Sequence, residues 1–262
     1  MFEKKFELYE KGKIFGAQTE IPSITIYKPY LKTSNSAVIC FAGGGYYARC
    51  DHEGLGYANF IRSLGITAFV VDYRCGPAHF PDQLLDARSA VRFVRARAEE
   101  FGIDKNKICV IGSSAGGHLC ALLSTYRGEL ENEAQTLYVK EDYLPNAQIL
   151  CYPLISTDPE LIHEGSFQNL LGDLFERRHE FSPEKIADEK TPTAFIWHTA
   201  GDGLVNVIHS YEYAQKLRKL NVPCELHVFP FGRHGLGLAN DEPHVAQWKQ
   251  LLVNWFKLNG YI

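Results

Sequence analysis

The chain has 262 residues, of which 45% are hydrophobic and 22% charged, with a formal net charge of -4. This composition is typical of an ordinary globular protein and excludes a disordered, collagen-like or disulfide-scaffold chain. The slight acidity, with no run of more than two Lys or Arg residues, argues against nucleic acid as a partner.

Targeting, membrane and metal signals are all lacking in the sequence. The N-terminus interleaves charges with aromatics, and no later segment approaches the roughly 20 apolar residues of a membrane span. The seven Cys residues form no C-x-x-C pair, and the His residues lack H-E-x-x-H spacing. We therefore predict a cytoplasmic protein, monomer or homodimer, that contacts no membrane and carries no metal or cofactor.

Strand-like and helix-like segments alternate along the chain. Apolar runs rich in β-branched residues predict strands, and apolar residues at helical spacing predict helices. The predicted strands are SITIY, AVICFAGGG, ITAFVVDYR, KICVIG, NAQILCYP, PTAFIWHT and PCELHVFP. The predicted helices span about 54–64, 81–102, 115–125, 206–220 and 243–258.

The strands read as continuous apolar runs, which is typical of strands covered on both faces in a parallel sheet. We predict a single α/β domain over residues 1–262, a doubly wound and mostly parallel sheet with N-terminal antiparallel strands. Residues from about 156 to 190 break the alternation, because they are polar, weakly helical and interrupted by Pro159 and Pro183. They predict a small cap-like insertion, with a decorative insertion as the alternative.

The stretch ICVIGSSAGGHLCALL joins a predicted strand to a predicted helix. A G-x-S-x-G frame fits only residues 112–116, so it selects Ser114 rather than Ser113. Glycines two residues before and after a serine leave room for the cramped strand-to-helix turn that exposes a nucleophile. The alternative is a junction whose small residues merely pack closely.

A serine hydroxyl needs a base to take its proton, and the base needs a third group to orient it. In this kind of fold the acid and then the base follow the serine along the chain. Asp202 follows the next-to-last predicted strand, and His234 lies among glycines after the last. The alternative for Asp202 is a structural role as a turn or helix N-cap residue. The competing residues lie in the irregular segment, in strands or on helices: Asp158, Asp173, Asp188, His118, His198, His209, His227 and His244.

Three glycines, Gly43, Gly44 and Gly45, directly follow an early predicted strand. Such a loop brings main-chain N–H groups close to a substrate, where they stabilise a developing oxyanion. The Ala115 N–H, at a helix N-terminus, is the expected second donor. We predict an oxyanion hole made by Gly44, Gly45 and Ala115, with a flexible turn as the alternative for the glycines.

Together, FAGGGYYARCDHEG, the segment from DYRCGPAHF to CALL, and HTAGDG through FGRHGLGL resemble α/β-hydrolases of the acetyl esterase/lipase type. That type is related to hormone-sensitive-lipase-like esterases and bacterial acetylxylan esterases. The resemblance implies Ser114 as nucleophile, Asp202 as acid and His234 as base. Ala42 departs from the lipase-like pattern, which has His there, and matches the sugar-ester branch instead. The change removes a side chain that usually steadies the loop.

The expected function is a serine carboxylesterase for short acyl esters, with small-molecule substrates that carry O-acetyl groups on sugars or xylo-oligosaccharides. Tyr46, Tyr47 and Trp197 are candidates to line the substrate pocket, because aromatic rings suit sugar faces. Two alternatives remain at this point. One is a small peptidase of the prolyl-oligopeptidase-like branch, and the other is a ligand-binding protein that keeps the hydrolase fold without catalysis.

Overall fold

The computed structural model describes residues 3–10, 13–14, 16–17 and 20–262. Within these ranges, eight strands form one sheet in the order β1-β2-β4-β3-β5-β6-β7-β8. The strands are β1 (Glu3–Glu7), β2 (Ser23–Tyr27), β3 (Ala37–Phe41), β4 (Thr67–Asp72), β5 (Ile108–Ser113), β6 (Ala147–Cys151), β7 (Thr193–Thr199) and β8 (Cys224–Phe229).

Helices follow most of these strands. The α-helices are α1 (Asp51–Ser63), α2 (Asp82–Ala96), α3 (Ala98–Phe101), α4 (Ser114–Thr125), α5 (Glu164–Leu171), α6 (Pro183–Ile186), α7 (Ile208–Lys219) and α8 (Trp248–Leu258). Segments of 3-10 helix span Glu133–Gln135, Gly172–Phe181 and Val245–Gln247.

The six strands from β4 to β8 in the sheet order are parallel, whereas β1 and β2 are antiparallel to their neighbours. The prediction of a doubly wound, mostly parallel sheet with N-terminal antiparallel strands is therefore confirmed. Strand β1 was not predicted. Its sequence EKKFE is largely exposed at the sheet edge, and charged residues of this kind are common on edge strands, where they discourage pairing with other chains.

Two apolar cores flank the sheet, as the alternation of side chains along β5 illustrates. Ile108 and Val110 face the core that α2, α4 and α7 cover, while Cys109 and Ile111 face the core under α1 and α8. Side chains that are buried on both faces explain why these strands read as unbroken apolar runs.

Several of the predicted helices differ in their bounds from the observed ones. Helix α1 begins three residues early, because the sequence Asp-His-Glu before Gly54 supplies acidic residues that suit a helix N-terminus. The helix predicted over 81–102 divides into α2 and α3 at Arg97, whose φ is -107°. The last helix begins with a 3-10 turn before α8.

Residues 156–190 include α5, the second 3-10 segment and α6. Hydrogen bonds from α4 and α7 connect this segment and its start to the sheet and its helices. The His209 ring on α7 accepts the N–H groups of Ile155 and Ser156, at 3.1 and 2.8 Å. His118 on α4 bonds through Nε2 to the Phe181 carbonyl at 2.9 Å and through Nδ1 to the Tyr46 hydroxyl at 2.6 Å. Among the described residues, no helix combines the length and the apolar character that crossing a bilayer requires.

Candidate active site

Ser114 lies at the junction of β5 and α4 with a φ of 52°, in the left-handed region that non-glycine residues seldom adopt. The flanking glycines make this turn possible. A Cβ at Gly112 would lie 2.2 Å from the Gly116 carbonyl oxygen, and one at Gly116 would lie 2.1 Å from the Phe41 carbonyl oxygen. The spacing that selects Ser114 in the sequence thus has a steric cause. The neighbouring Ser113 points elsewhere and bonds to the Tyr57 hydroxyl at 2.6 Å.

The loops after β7 and β8 bring Asp202 and His234 to this serine. His234 Nε2 lies 2.9 Å from Ser114 Oγ, and His234 Nδ1 lies 2.6 Å from Asp202 Oδ2. Since a carboxylate only accepts, Nδ1 carries the proton and Nε2 is left to accept the serine hydroxyl. The structure therefore brings together the three side chains that the sequence analysis selected.

The Asp202 carboxylate has a full set of hydrogen bonds. Oδ1 accepts the N–H groups of Leu204 and Val205, each at 2.9 Å, and His198 Nε2 lies 3.3 Å from Oδ2. Burial favours the neutral acid, but the bonds from His198, His234 and the Val205 N–H outweigh it and hold the pKa of Asp202 well below its ordinary value. Asp202 is an ionised acceptor at neutral pH.

The glycine loop lies beside Ser114. Gly44 has a φ of 135°, and a Cβ there would lie 2.3 Å from the Ala48 carbonyl oxygen. The Gly43 N–H donates to Glu53 Oε2 at 2.9 Å. Within the described ranges, no hydrogen bond occupies the N–H of Gly44 or Gly45, and Ala115 lies in the first turn of α4. Their arrangement leaves the donors of the predicted oxyanion hole available to a ligand.

A cavity of about 220 Å³ opens onto Ser114 and His234. Gly44 and Gly45 form one side of it, and His163 and Ser166 of α5 and its N-cap form another. Neither His163 nor Ser166 was identified from the sequence, because their contact with the cavity depends on how residues 156–190 fold back. Glu53 lines the same cavity and was not identified either, because an acidic residue near a helix N-terminus has the same sequence pattern as a solvated one.

None of the three aromatic residues proposed for the substrate pocket lines the cavity at Ser114, so all three predictions need correction. Tyr46 and Trp197 are buried in the core, where Trp197 stacks on Trp248 with ring centroids 5.1 Å apart. Neither ring lines the cavity at Ser114. Strand alternation and the position of α8, which the local sequence does not reveal, place Trp197 inward. Tyr47 is exposed and lines a separate surface groove beside the glycine loop.

Metal ligands are not grouped in the part of the chain that the structure describes. No three or more His, Cys, Asp or Glu residues are arranged there to hold a metal ion. All seven Cys residues are free thiols.

A family model described as BD-FAE matches residues 24–217. The matched range includes the glycine loop, Ser114 and Asp202. The chain belongs to the BD-FAE family. The resemblance to α/β-hydrolases of the acetyl esterase type, drawn from the sequence, is confirmed by this match and by the relatives of this BD-FAE chain.

Two curated relatives and one solved structure are similar to the chain. An endo-1,4-beta-xylanase B of Butyrivibrio fibrisolvens is 35% identical, over 85% of this chain and 36% of that protein. An acetylxylan esterase of Xylanibacter ruminicola is 30% identical, over 86% of this chain and 46% of that protein. The chain thus spans less than half the length of either curated relative. An acetyl ester-xyloside bifunctional hydrolase from Caldicellulosiruptor lactoaceticus is 38% identical with a TM-score of 0.90, covering 99% of this chain and 97% of that one.

Proposed function

We propose that the chain is a serine carboxylesterase that removes short acyl groups, in particular O-acetyl groups carried on sugars or on xylo-oligosaccharides. The observation that carries the proposal is the hydrogen-bonded line from Asp202 through His234 to Ser114, at 2.6 and 2.9 Å. The broader class, a carboxylic ester hydrolase, is what the named relatives support most directly.

The proposed reaction begins when Ser114 Oγ attacks the ester carbonyl and His234 Nε2 takes its proton. The N–H groups of Ala115 and of Gly44 or Gly45 receive the negative charge that develops on the carbonyl oxygen. His234 then protonates the leaving alcohol, and an acyl-serine remains. Water, deprotonated by the same imidazole, releases the acid and restores Ser114. Asp202 stays ionised throughout and stabilises the imidazolium.

Two observations support a small acyl group and a sugar acceptor. The cavity of about 220 Å³ is small, whereas pockets for drug-sized ligands span roughly 300 to 1,000 Å³. The relatives named for acetylxylan and for acetyl ester-xyloside hydrolysis favour acetyl groups on xylose-based substrates. We expect turnover of p-nitrophenyl esters to fall as the acyl chain lengthens beyond acetate.

We also propose that residues 1–262 form one domain and that residues 156–190 act as a small cap on it. His163 and Ser166 support this role, because both line the cavity that contains Ser114. A Cβ built on Gly45 would lie 3.3 Å from Ser166 Oγ, which measures how closely α5 approaches the glycine loop. Ser166→Leu is expected to reduce turnover of p-nitrophenyl acetate, since the added side chain enters the cavity.

The direct test is Ser114→Ala with Ser113→Ala as the matched control. Ser114→Ala is expected to fold and to lose hydrolysis of p-nitrophenyl acetate by at least roughly a thousandfold. Ser113→Ala keeps the nucleophile and is expected to retain most of the activity. Near wild-type activity in Ser114→Ala contradicts the proposal.

A substrate panel separates the remaining functions. Acetate release from acetylated xylo-oligosaccharides, together with labelling of Ser114 by a fluorophosphonate, is the expected result. Hydrolysis of arylamides or dipeptides without ester turnover indicates a peptidase. Binding of a sugar ester with neither turnover nor labelling indicates a non-catalytic protein.

A further inference from the structure

Glu53, in the first turn of α1, is a carboxylate that is only 2% exposed. Among the described residues, no Lys or Arg forms an ion pair with it, and the one cationic candidate near it, His52 Nε2, lies 3.7 Å away. Burying a carboxylate without such a partner is costly unless hydrogen bonds satisfy it. Its two hydrogen-bond donors, the Gly43 N–H and the Tyr152 hydroxyl, belong to separate parts of the site.

The first donor belongs to the glycine loop. Gly43 N–H donates to Oε2 at 2.9 Å. A Cβ at Gly43 would lie 2.5 Å from that same oxygen and 2.7 Å from the Ser113 carbonyl oxygen, so only glycine lets the loop approach both. The bond occupies the Gly43 N–H and fixes the backbone from which Gly44 and Gly45 present theirs.

The second donor leads to the histidine loop. The Tyr152 hydroxyl lies 2.6 Å from Glu53 Oε1 and accepts the Gly237 N–H at 2.7 Å. Because the amide can only donate, the phenol proton points to Glu53. The Tyr152 ring also meets the His234 ring edge-on, with centroids 5.1 Å apart. Through Tyr152, Glu53 therefore acts on the loop that carries His234.

We propose that Glu53 is a positioning residue for ester hydrolysis, holding the oxyanion-hole loop and the histidine loop in register through Gly43 and Tyr152. Ala42 offers the loop no polar side chain, and the Glu53 carboxylate supplies the anchor instead. Two acceptor oxygens are needed, because a donor faces each one. A glutamine retains a single acceptor oxygen and presents an NH₂ group to one of the two donors. This inference rests on the proposed function of Ser114 and His234.

The test compares Glu53→Gln with Asp51→Asn, an exposed acid in the same turn of α1. Glu53→Gln is expected to lower kcat for p-nitrophenyl acetate about 10- to 100-fold. Its KM is expected to change less than about threefold, since ground-state contacts remain. Asp51→Asn controls for the charge at the helix N-terminus and is expected to keep the wild-type kcat. A Glu53→Gln kcat within about threefold of wild type, or a loss that matches a reduced folded fraction by circular dichroism, overturns the proposal.

Tyr152→Phe tests the connection from Glu53 to the histidine loop on its own. It also serves as the test if Glu53→Gln does not fold. It removes one hydroxyl, and a kcat loss of roughly tenfold is expected, because only the histidine loop is released. An unchanged kcat in Tyr152→Phe overturns the proposed link.

Ser114→Ala is measured beside these variants. If it keeps the wild-type rate, the proposed function itself fails; if it is inactive while Glu53→Gln is normal, only the role of Glu53 fails.

Discussion

Asp202 Oδ2 and His234 Nδ1 lie 2.6 Å apart, joined by a hydrogen bond between the loops that follow β7 and β8. The carboxylate fixes the ring tautomer, because it accepts from Nδ1 and leaves Nε2 facing Ser114 Oγ at 2.9 Å. The orientation of the imidazole thus depends on a residue that does not itself contact the serine.

Asp202→Asn is expected to lower kcat for p-nitrophenyl acetate about ten-thousandfold, since an amide NH₂ that faces Nδ1 favours the wrong tautomer. Asp158→Asn is the control. Asp158 lies in residues 156–190, and its carboxylate accepts the Glu160 N–H at 3.0 Å. A loss below about tenfold in Asp202→Asn would show that another group orients His234.

Gly116→Ala is expected to unfold the protein or leave it insoluble, because the new Cβ would lie 2.1 Å from the Phe41 carbonyl oxygen. Gly56→Ala is the matched control. Gly56 lies within α1, and a Cβ there meets no atom within 4 Å. Replacing a helical glycine by alanine stabilises by about 0.5 to 1 kcal/mol. Thermal unfolding measures the stability of both variants, and equal midpoints would contradict the steric explanation of the turn at Ser114.

The stability of the protein is expected to fall on acidification because of two buried histidines. Burial lowers the pKa of His118 and of His209 to about 4, from an ordinary 6.5. Each ring stays neutral in the folded state, while the unfolded chain takes up protons below pH 6.5. The stability that the neutral rings provide is therefore complete above pH 6.5 and is lost as the pH falls toward 4.

His209→Gln removes one of these titrating groups and is expected to flatten the fall of the unfolding midpoint across that window. The control is His244→Gln, because His244 is exposed and its substitution is expected to leave the slope unchanged. Thermal unfolding followed by circular dichroism at several pH values gives both slopes. A slope for His209→Gln as steep as that of the wild type would assign the acid sensitivity to other groups.

Local sequence was enough to predict much of the fold and the choice of Ser114. The glycines at 112 and 116 act on the backbone beside them, so their spacing predicts the geometry of the strand-to-helix turn. Asp202 and His234 followed from the positions of the last two strands, which their apolar runs identify. Each of these inferences depends on residues that are close together along the chain.

Other features depend on packing between distant segments, which local sequence does not express. Trp197 was expected in the pocket, but α8, about 50 residues later, covers the face of the sheet on which it lies. Whether Glu53 faces solvent or the interior depends on the rotation of α1 against the sheet. The approach of His163 and Ser166 to the cavity required the fold of residues 156–190.

His118 connects two segments that border the cavity. One imidazole on the helix that begins at Ser114 holds both the loop residue Tyr46 and the Phe181 carbonyl of residues 156–190. Both bonds attach a segment beside the cavity to the helix that carries the serine. A substitution at His118 would therefore affect both segments together.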